Sequence, residues 1–159
     1  MNKTLYIIGN GFDLHHGLKT SYFDFAEYLK KNNSALHYLL ESHICFPDSD
    51  NELWYRFEDN LANLDIDSII DDNREYLPNI ASDEFRDRDL HAFPDVMDEI
   101  FKNLTEDLLT DFKKFILQAS IPKTAVKYKL AIDTDAQFFS FNYTDTLQQL
   151  YNIDTKKIL

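Results

Sequence analysis

Two short apolar runs, one near each end of the chain, have the pattern of β-strands. Leu5-Tyr6-Ile7-Ile8 ends in β-branched residues and stops at Gly9, which predicts a buried strand. The run from Gln137 to Phe141 predicts a second strand that leads directly into Asn142-Tyr143-Thr144-Asp145. A helical pattern follows each run after a polar turn, so the sequence predicts two strand, turn, helix units.

The remaining apolar positions recur at helical spacing. Helices are predicted from Thr20 or Ser21 with Asp24 in the first turn, from Asn33 or Ser34 through Leu40, from Glu52 to Leu64, once between Ile66 and Leu77, from Asp95 to Ser120, and after Thr144. The helix from Asp95 has the most regular 3.6-residue period, and Pro122 follows its end. The segment 125–132 fits either a strand or a short helix.

Length and composition predict one cytoplasmic domain over residues 1–159. The chain is 44% hydrophobic, enough for one core but not for two domains of ordinary size. No apolar run approaches the ~18 to 20 residues of a membrane span, and no signal peptide precedes Gly9. The single cysteine, Cys45, has no disulfide partner within the chain and is expected to be a small buried residue.

The net charge of -12 is concentrated in the middle of the chain. Residues 41–111 contain 21 acidic and five basic side chains. Such a surface repels phosphate backbones, so we expect no binding to duplex nucleic acid. The simplest account is a solvated helical surface, and a homo-oligomer or a protein partner remains open.

The glycines indicate a ligand site at the first turn. All three glycines of the chain lie at positions 9, 11 and 17, where we expect either positive φ or the close approach of another surface. They do not form the usual dinucleotide fingerprint, because position 14 is leucine, and the P-loop pattern is absent. Plain turn glycines are an equally good explanation from the sequence alone.

If the two strands are parallel neighbours, the carboxyl ends of both meet at one edge of the sheet. The turn from Gly9 to Asp13 would then lie beside Asn142, Tyr143 and Thr144. Backbone amides of the glycine turn could face phosphate oxygens, and Asn142 could bind a ribose or an amide. Asp13 could orient a ligand hydroxyl or a water molecule.

Glu58 is a further candidate site residue. It lies four residues after Trp54 and beside Phe57 on the predicted apolar stripe. Alone it is better explained as a carboxylate at the edge of the stripe, with its stem on apolar surface and its head in water. The alternative is a partly buried carboxylate that faces the same cleft as Asn142.

Asp13, His15 and His16, with Asp48 and Asp50 further along, raise the hypothesis of a metal site. Adjacent histidines rarely bind one ion, and no further cluster of histidine and cysteine has ligand spacing. We therefore predict no resident metal, and a metal-dependent nucleotide hydrolase that uses Asp13 is kept as an alternative.

Three motifs together resemble the bacteriophage abortive-infection AbiH family. They are Ile7-Ile-Gly-Asn-Gly-Phe-Asp-Leu14 with Gly17 and Thr20-Ser-Tyr22, then Trp54 with Phe57-Glu58, and then Phe139-Ser-Phe-Asn-Tyr-Thr-Asp145. The resemblance runs from one end of the chain to the other. That family is in turn similar to sirtuin-like NAD-binding domains.

The resemblance implies an α/β fold with a small parallel, Rossmann-like (sirtuin-like) sheet and a large helical insertion at about 33–122. It implies NAD as cofactor, with Gly9, Gly11 and Asn142 in contact with it. The corresponding site predictions are Asn142, Asp13 and Glu58 as catalytic residues and Gly9, Asn10, Gly11, Phe12, Tyr143 and Thr144 as cofactor-binding residues. Asp13 stands where sirtuins have a small polar residue.

The function implied is phage defence through binding of NAD or a related nucleotide, with hydrolysis expected of a full-length form. In the similar proteins a further strand with a His-x-His-Gly type motif follows the asparagine turn, and this sequence stops at Leu159 before any such motif. We therefore expect a sheet truncated at the C-terminus and a chain that binds better than it turns over. The competing hypothesis is a non-enzymatic nucleotide-sensing or protein-interaction module.

Overall fold

The computed structural model describes residues 4–44 and 52–159. These residues form two compact units, the first from residues 1–25 and 113–159 and the second from residues 26–112. The sequence predicts a helical insertion at about 33–122, and most of that range belongs to the second unit. Cys45, Asp48 and Asp50 lie outside the described residues.

The first unit is built on two parallel strands, β1 (Leu5–Ile8) and β2 (Gln137–Ser140). Their register pairs Leu5 with Gln137 and Ile8 with Ser140. One further hydrogen bond extends the ladder at its carboxyl end, from the Phe141 amide to the Ile8 carbonyl at 2.9 Å. Both predicted strands and their parallel pairing are confirmed, so the two turns that follow them leave the sheet at the same edge.

Only one face of this sheet is covered, because side chains alternate between the two faces of a strand. Ile8 and Phe138 point into a core of aromatic and aliphatic side chains, whereas Ile7 is 71% exposed. The core consists of Ile8, Phe12, Ala125, Ala136, Phe138, Leu147, Leu150, Tyr151 and Ile153. The prediction that 5–8 is a buried strand is therefore confirmed for Ile8 and wrong for Leu5 and Ile7, because their side chains point to the other face of the sheet.

The end of the sequence lies along the free edge of β2. Ile158 forms a parallel bridge with Phe138, and the Leu159 amide donates to the Phe138 carbonyl at 2.8 Å. Nearby, Lys157 Nζ donates to Asp135 at 2.9 Å, and this ammonium group lowers the pKa of the Asp135 carboxyl. The α/β class with a small parallel sheet is confirmed. The described residues contain two strands, this parallel bridge and one isolated antiparallel bridge, between Ile44 and Leu64.

The helices near the first turn are α1 (Asn10–His15) and α2 (Tyr22–Asn32). Ser21 and Asp24 form a capping box, in which the Asp24 amide donates to Ser21 Oγ and the Ser21 amide donates to Asp24 Oδ2. The prediction of a cap at Ser21 is confirmed. In the second turn, the predicted cap at Thr144 is wrong, because α9 (Thr146–Tyr151, numbered in chain order) begins after Asp145.

The other helices belong mostly to the second unit. They are α3 (Ser34–His43), α4 (Glu52–Tyr55), α5 (Phe57–Leu61), α6 (Ile66–Asp72), α7 (Asp89–Lys102) and α8 (Leu108–Gln118), with 3₁₀ turns at Arg74–Tyr76, Lys123–Tyr128 and Thr155–Lys157. Asn33 caps α3 as predicted, by accepting from the Leu36 amide. No helix in the described part of the chain is long and apolar enough to cross a membrane.

Three predicted helical segments differ from the structure. The helix predicted over 52–64 is broken at Arg56 into α4 and α5. The long helix starts at Asp89 instead of Asp95, with Pro94 inside it, and a π-helical turn at Asn103–Asp107 joins α7 to α8. The segment 125–132, which the sequence left open, contains the end of a 3₁₀ turn.

The three glycines have different backbone requirements. Gly17 has φ of +79°, a region that favours glycine, whereas Gly9 has φ of -127°. Gly11 lies inside α1, and a Cβ atom at position 9 or 11 would meet no atom within 4 Å. Positive φ, the first of the two expected reasons for glycine, is confirmed at Gly17 and does not apply at Gly9 and Gly11. The second reason, the close approach of another surface, stays a prediction for those two residues.

We expect Gly17→Ala to lower the free energy of unfolding by about 1 to 2 kcal/mol, because alanine is strained at positive φ. Gly11→Ala, the matched control, should raise it by roughly 0.5 to 1 kcal/mol, because glycine is a poor helix residue and the added methyl group has open space. Urea denaturation with unchanged m-values would measure both. A stable Gly17→Ala beside a destabilised Gly11→Ala would contradict this assignment.

Candidate functional site

A direct hydrogen bond joins the two turns at the carboxyl edge of the sheet. The Thr144 hydroxyl donates to Asp13 Oδ2 at 2.6 Å, although the two residues are 131 positions apart in sequence. Asp13 lies in α1, after the turn that follows β1, and Thr144 lies in the turn that follows β2. The parallel sheet therefore brings together two of the predicted site residues.

Asp13 is almost completely buried, with 1% of its surface exposed. Its Oδ2 accepts from Thr144, but its Oδ1 has no hydrogen-bond partner among the described residues. The hydroxyl oxygens of Thr144 and Thr146 are 3.0 Å apart, and Thr144 already donates to Asp13, so Thr146 is the donor of this pair. One carboxylate oxygen is thus held by a chain of two hydroxyls, and the other is available to a donor.

Asn142 presents a second oxygen of the same kind. It follows β2 by two residues and is half-buried. Its backbone N–H donates to Ser140 Oγ at 3.2 Å. Its side-chain Oδ1 is buried without a partner in the part of the chain that the structure describes. The large majority of buried side-chain polar atoms in proteins have a hydrogen-bond partner, so two unpaired oxygens at adjoining strand ends are unusual.

Not all the predicted cofactor-binding residues are available for a ligand. The side chain of Asn10 makes two hydrogen bonds with Thr20, donating to its carbonyl at 2.9 Å and accepting from its hydroxyl at 2.7 Å. The ring of Phe12 belongs to the core, and the role of Phe12 in cofactor binding stays a prediction. The ring of Tyr143 is 70% exposed, and Gly9 and Gly11 lie beside open space.

The two histidines of the first motif support the structure of the unit. His16 is fully buried, with Nδ1 2.6 Å from the Phe12 carbonyl and Nε2 2.8 Å from the Tyr151 hydroxyl. A carbonyl only accepts, so Nδ1 donates and Nε2 accepts from Tyr151, whose oxygen in turn accepts from the Leu130 amide at 2.7 Å. Nε2 of His15 lies 2.9 Å from the Tyr128 carbonyl.

Glu58 is exposed and belongs to the second unit. The prediction that Glu58 is a partly buried carboxylate is therefore wrong. The physical reason is the break at Arg56, because Trp54 and Glu58 lie on different helices and the spacing of four no longer places them on one face. Trp54 and Phe57 are still buried and stacked, with ring centroids 5.1 Å apart.

The metal hypothesis has no cluster to support it in the described residues. No group of three or more histidine, cysteine, aspartate or glutamate side chains among them is arranged to hold an ion. Asp48 and Asp50, which the hypothesis also used, lie outside those residues.

An open cavity of about 800 Å³ lies in the second unit, and none of its lining residues is a predicted site residue. Its lining mixes Arg86 and Arg88 with Glu84 and Asp89. Because charges of both signs face it, the cavity specifies no single class of ligand.

The sequence analysis did not identify Thr146 as a residue of the candidate site. Thr146 is 1% exposed and completes the hydroxyl chain to Asp13. Its only signal is the spacing of two hydroxyl residues in Thr144-Asp-Thr146, which is also typical of ordinary helix starts.

The family model described as "Bacteriophage abortive infection AbiH" matches residues 5–159. Comparison with curated proteins and with solved structures finds no match for the chain. The matched region includes both turns of the candidate site.

We expect Tyr151→Phe to lower the free energy of unfolding by roughly 1 to 3 kcal/mol, because it leaves His16 Nε2 and the Leu130 amide without their partner. Tyr128→Phe removes a hydroxyl from an exposed side chain of the same unit and serves as the control. Thermal and urea unfolding would measure both. Equal stability of the two variants would show that the His16 network contributes nothing.

Proposed function

The chain belongs to the bacteriophage abortive infection AbiH family, and we propose that within abortive infection its first unit binds NAD or a related nucleotide. The family match assigns the chain to phage defence. The ligand and its binding residues are our proposal, which extends the resemblance of the motifs to sirtuin-like NAD-binding domains.

One observation supports the proposal most strongly: the two unpaired oxygens, Asp13 Oδ1 and Asn142 Oδ1. A buried acceptor without a partner costs about 1 to 3 kcal/mol, so a chain that keeps two of them bears a substantial loss of stability. A ligand that donates to them recovers that loss on binding. Their position outside the carboxyl ends of two parallel strands is where α/β proteins bind ligands.

The neighbouring residues suit a nucleotide. Gly9 and Gly11 leave room for a ligand to approach the backbone, and neither packing nor positive φ requires glycine there. In this proposal the glycine turn contacts the phosphates, and Asp13 and Asn142 contact a ribose. NAD when bound would supply a glycosidic bond between nicotinamide and ribose that water can cleave.

The distribution of charge is compatible with this site. The first unit contains nine lysines and six acidic residues, whereas the second contains 22 acidic and seven basic residues. The acidic surface that repels polyphosphates therefore belongs mostly to the unit without the site.

The proposal also includes hydrolysis of the bound nucleotide. Both ring nitrogens of His16 are engaged, and His15 uses one nitrogen on a carbonyl. Hydrolysis would therefore depend on Asp13 and Asn142, which in this proposal position the ribose that carries the bond to be cleaved. Binding without turnover would favour the alternative of a nucleotide sensor.

We expect NAD, ADP-ribose or ATP to stabilise the full chain, by about 2.7 kcal/mol at 100 times the dissociation constant. Gly11→Val should weaken binding of the nucleotide that raises the melting temperature of the wild type, because the valine side chain would occupy the open space beside Gly11. Ala131→Val adds bulk at an exposed position of the same unit and should leave binding unchanged. Thermal shift and calorimetry would measure affinity, and release of nicotinamide would measure turnover.

The proposal fails if no nucleotide at millimolar concentration raises the melting temperature of the wild-type chain. Equal binding by wild type and Gly11→Val would remove the glycine turn from the site while leaving nucleotide binding in place.

A further inference from the structure

We infer that Asp13 binds the vicinal hydroxyl groups of a ribose and makes this site selective for a ribose over a deoxyribose. This inference rests on the proposed nucleotide binding, and it names the part of the ligand that the two buried oxygens contact. It follows from the hydrogen-bonding character of the unpaired atoms.

The two unpaired atoms are both acceptors. An ionised carboxylate accepts hydrogen bonds and donates none, so Asp13 Oδ1 requires a donor from its ligand. Phosphate oxygens are acceptors and carry negative charge, so a phosphate group placed against Asp13 would be repelled. The ligand must therefore present hydroxyl or N–H groups at this point.

The carboxylate of Asp13 is held in its orientation. Thr144 donates to its Oδ2, and Thr146 donates to Thr144 in turn. The backbone carbonyl of Asp13 also accepts from the amides of His16 and Leu18, both at 3.0 Å. Because turning the carboxylate would break the bond to Thr144, Oδ1 keeps its requirement for a donor.

Asn142 offers the second acceptor, and two acceptors on adjoining turns suit two neighbouring hydroxyls. The carboxamide of Asn142 can exchange the positions of its oxygen and NH₂ group by rotation, so it adapts to a donor or an acceptor. Asp13 has no such freedom, and it sets the selectivity. Both oxygens are buried, so a ligand hydroxyl reaches them only when the side chains that cover them move.

The test compares ligands on the wild-type chain and needs no folded variant. NAD is titrated beside two analogues, one without the 2′ and 3′ hydroxyls of the nicotinamide-side ribose and one without those of the adenosine-side ribose. We expect one analogue to bind at least tenfold more weakly than NAD, which is about 1.4 kcal/mol. The affected analogue identifies which ribose lies at Asp13.

Variants then assign the selectivity to a residue. Asp13→Asn keeps the shape of the side chain but replaces the carboxylate by a neutral amide. The ratio of the affinities for NAD and for the affected analogue should then fall to about threefold or less. Asp135→Asn removes a carboxylate from an exposed position of the same unit and should keep the full ratio.

Other outcomes are equally decisive. If NAD and both analogues bind the wild type equally, the inference is wrong and nucleotide binding stands. If the ratio survives in Asp13→Asn, another group contacts the hydroxyls and the assignment of Asp13 is overturned. If neither NAD nor another nucleotide binds, the proposed function fails and this inference fails with it.

Discussion

The parallel pairing of β1 with β2 is the constraint on which the first unit depends. It joins Leu5–Ile8 to Gln137–Ser140, segments separated by most of the chain, so its formation costs considerable loop-closure entropy. Burial of Ile8 and Phe138 in the core on one face helps to offset that cost. The same pairing fixes the direction of both following turns, and only for this reason can Thr144 donate to Asp13.

The polar residues of the first motif divide into two groups by their hydrogen bonds. Asn10 makes two hydrogen bonds with Thr20, and His16 bonds both the Phe12 carbonyl and the Tyr151 hydroxyl. These side chains therefore have their partners within the chain. Asp13 has a partner for one oxygen only. Residues that are close in sequence thus differ in their hydrogen bonding, and Asp13 keeps an acceptor that the proposed ligand could use.

The sequence predicts the parts of this structure that depend on local pattern. Both strands, the caps at Ser21 and Asn33, and the adjacency of the two turns follow from periodicity and from the rules for parallel strands. The burial of Glu58 did not follow, because a single break at Arg56 changes which residues share a face. The exposed face of β1 was missed for a similar reason, since the number of layers packed on a sheet is not encoded in one strand.

The position of Asp13 also gives the proposed ligand a direction. Gly9 precedes α1 and Gly11 lies in its first turn, and both leave open space that is compatible with phosphates that approach the backbone. A carboxylate two residues later would repel those phosphates if they lay against it. The phosphates therefore belong toward the glycines and a hydroxyl-bearing group toward Asp13 and Asn142. A buried carboxylate that reduces stability is compatible with a nucleotide site only in this orientation, because there the ligand supplies the missing donors.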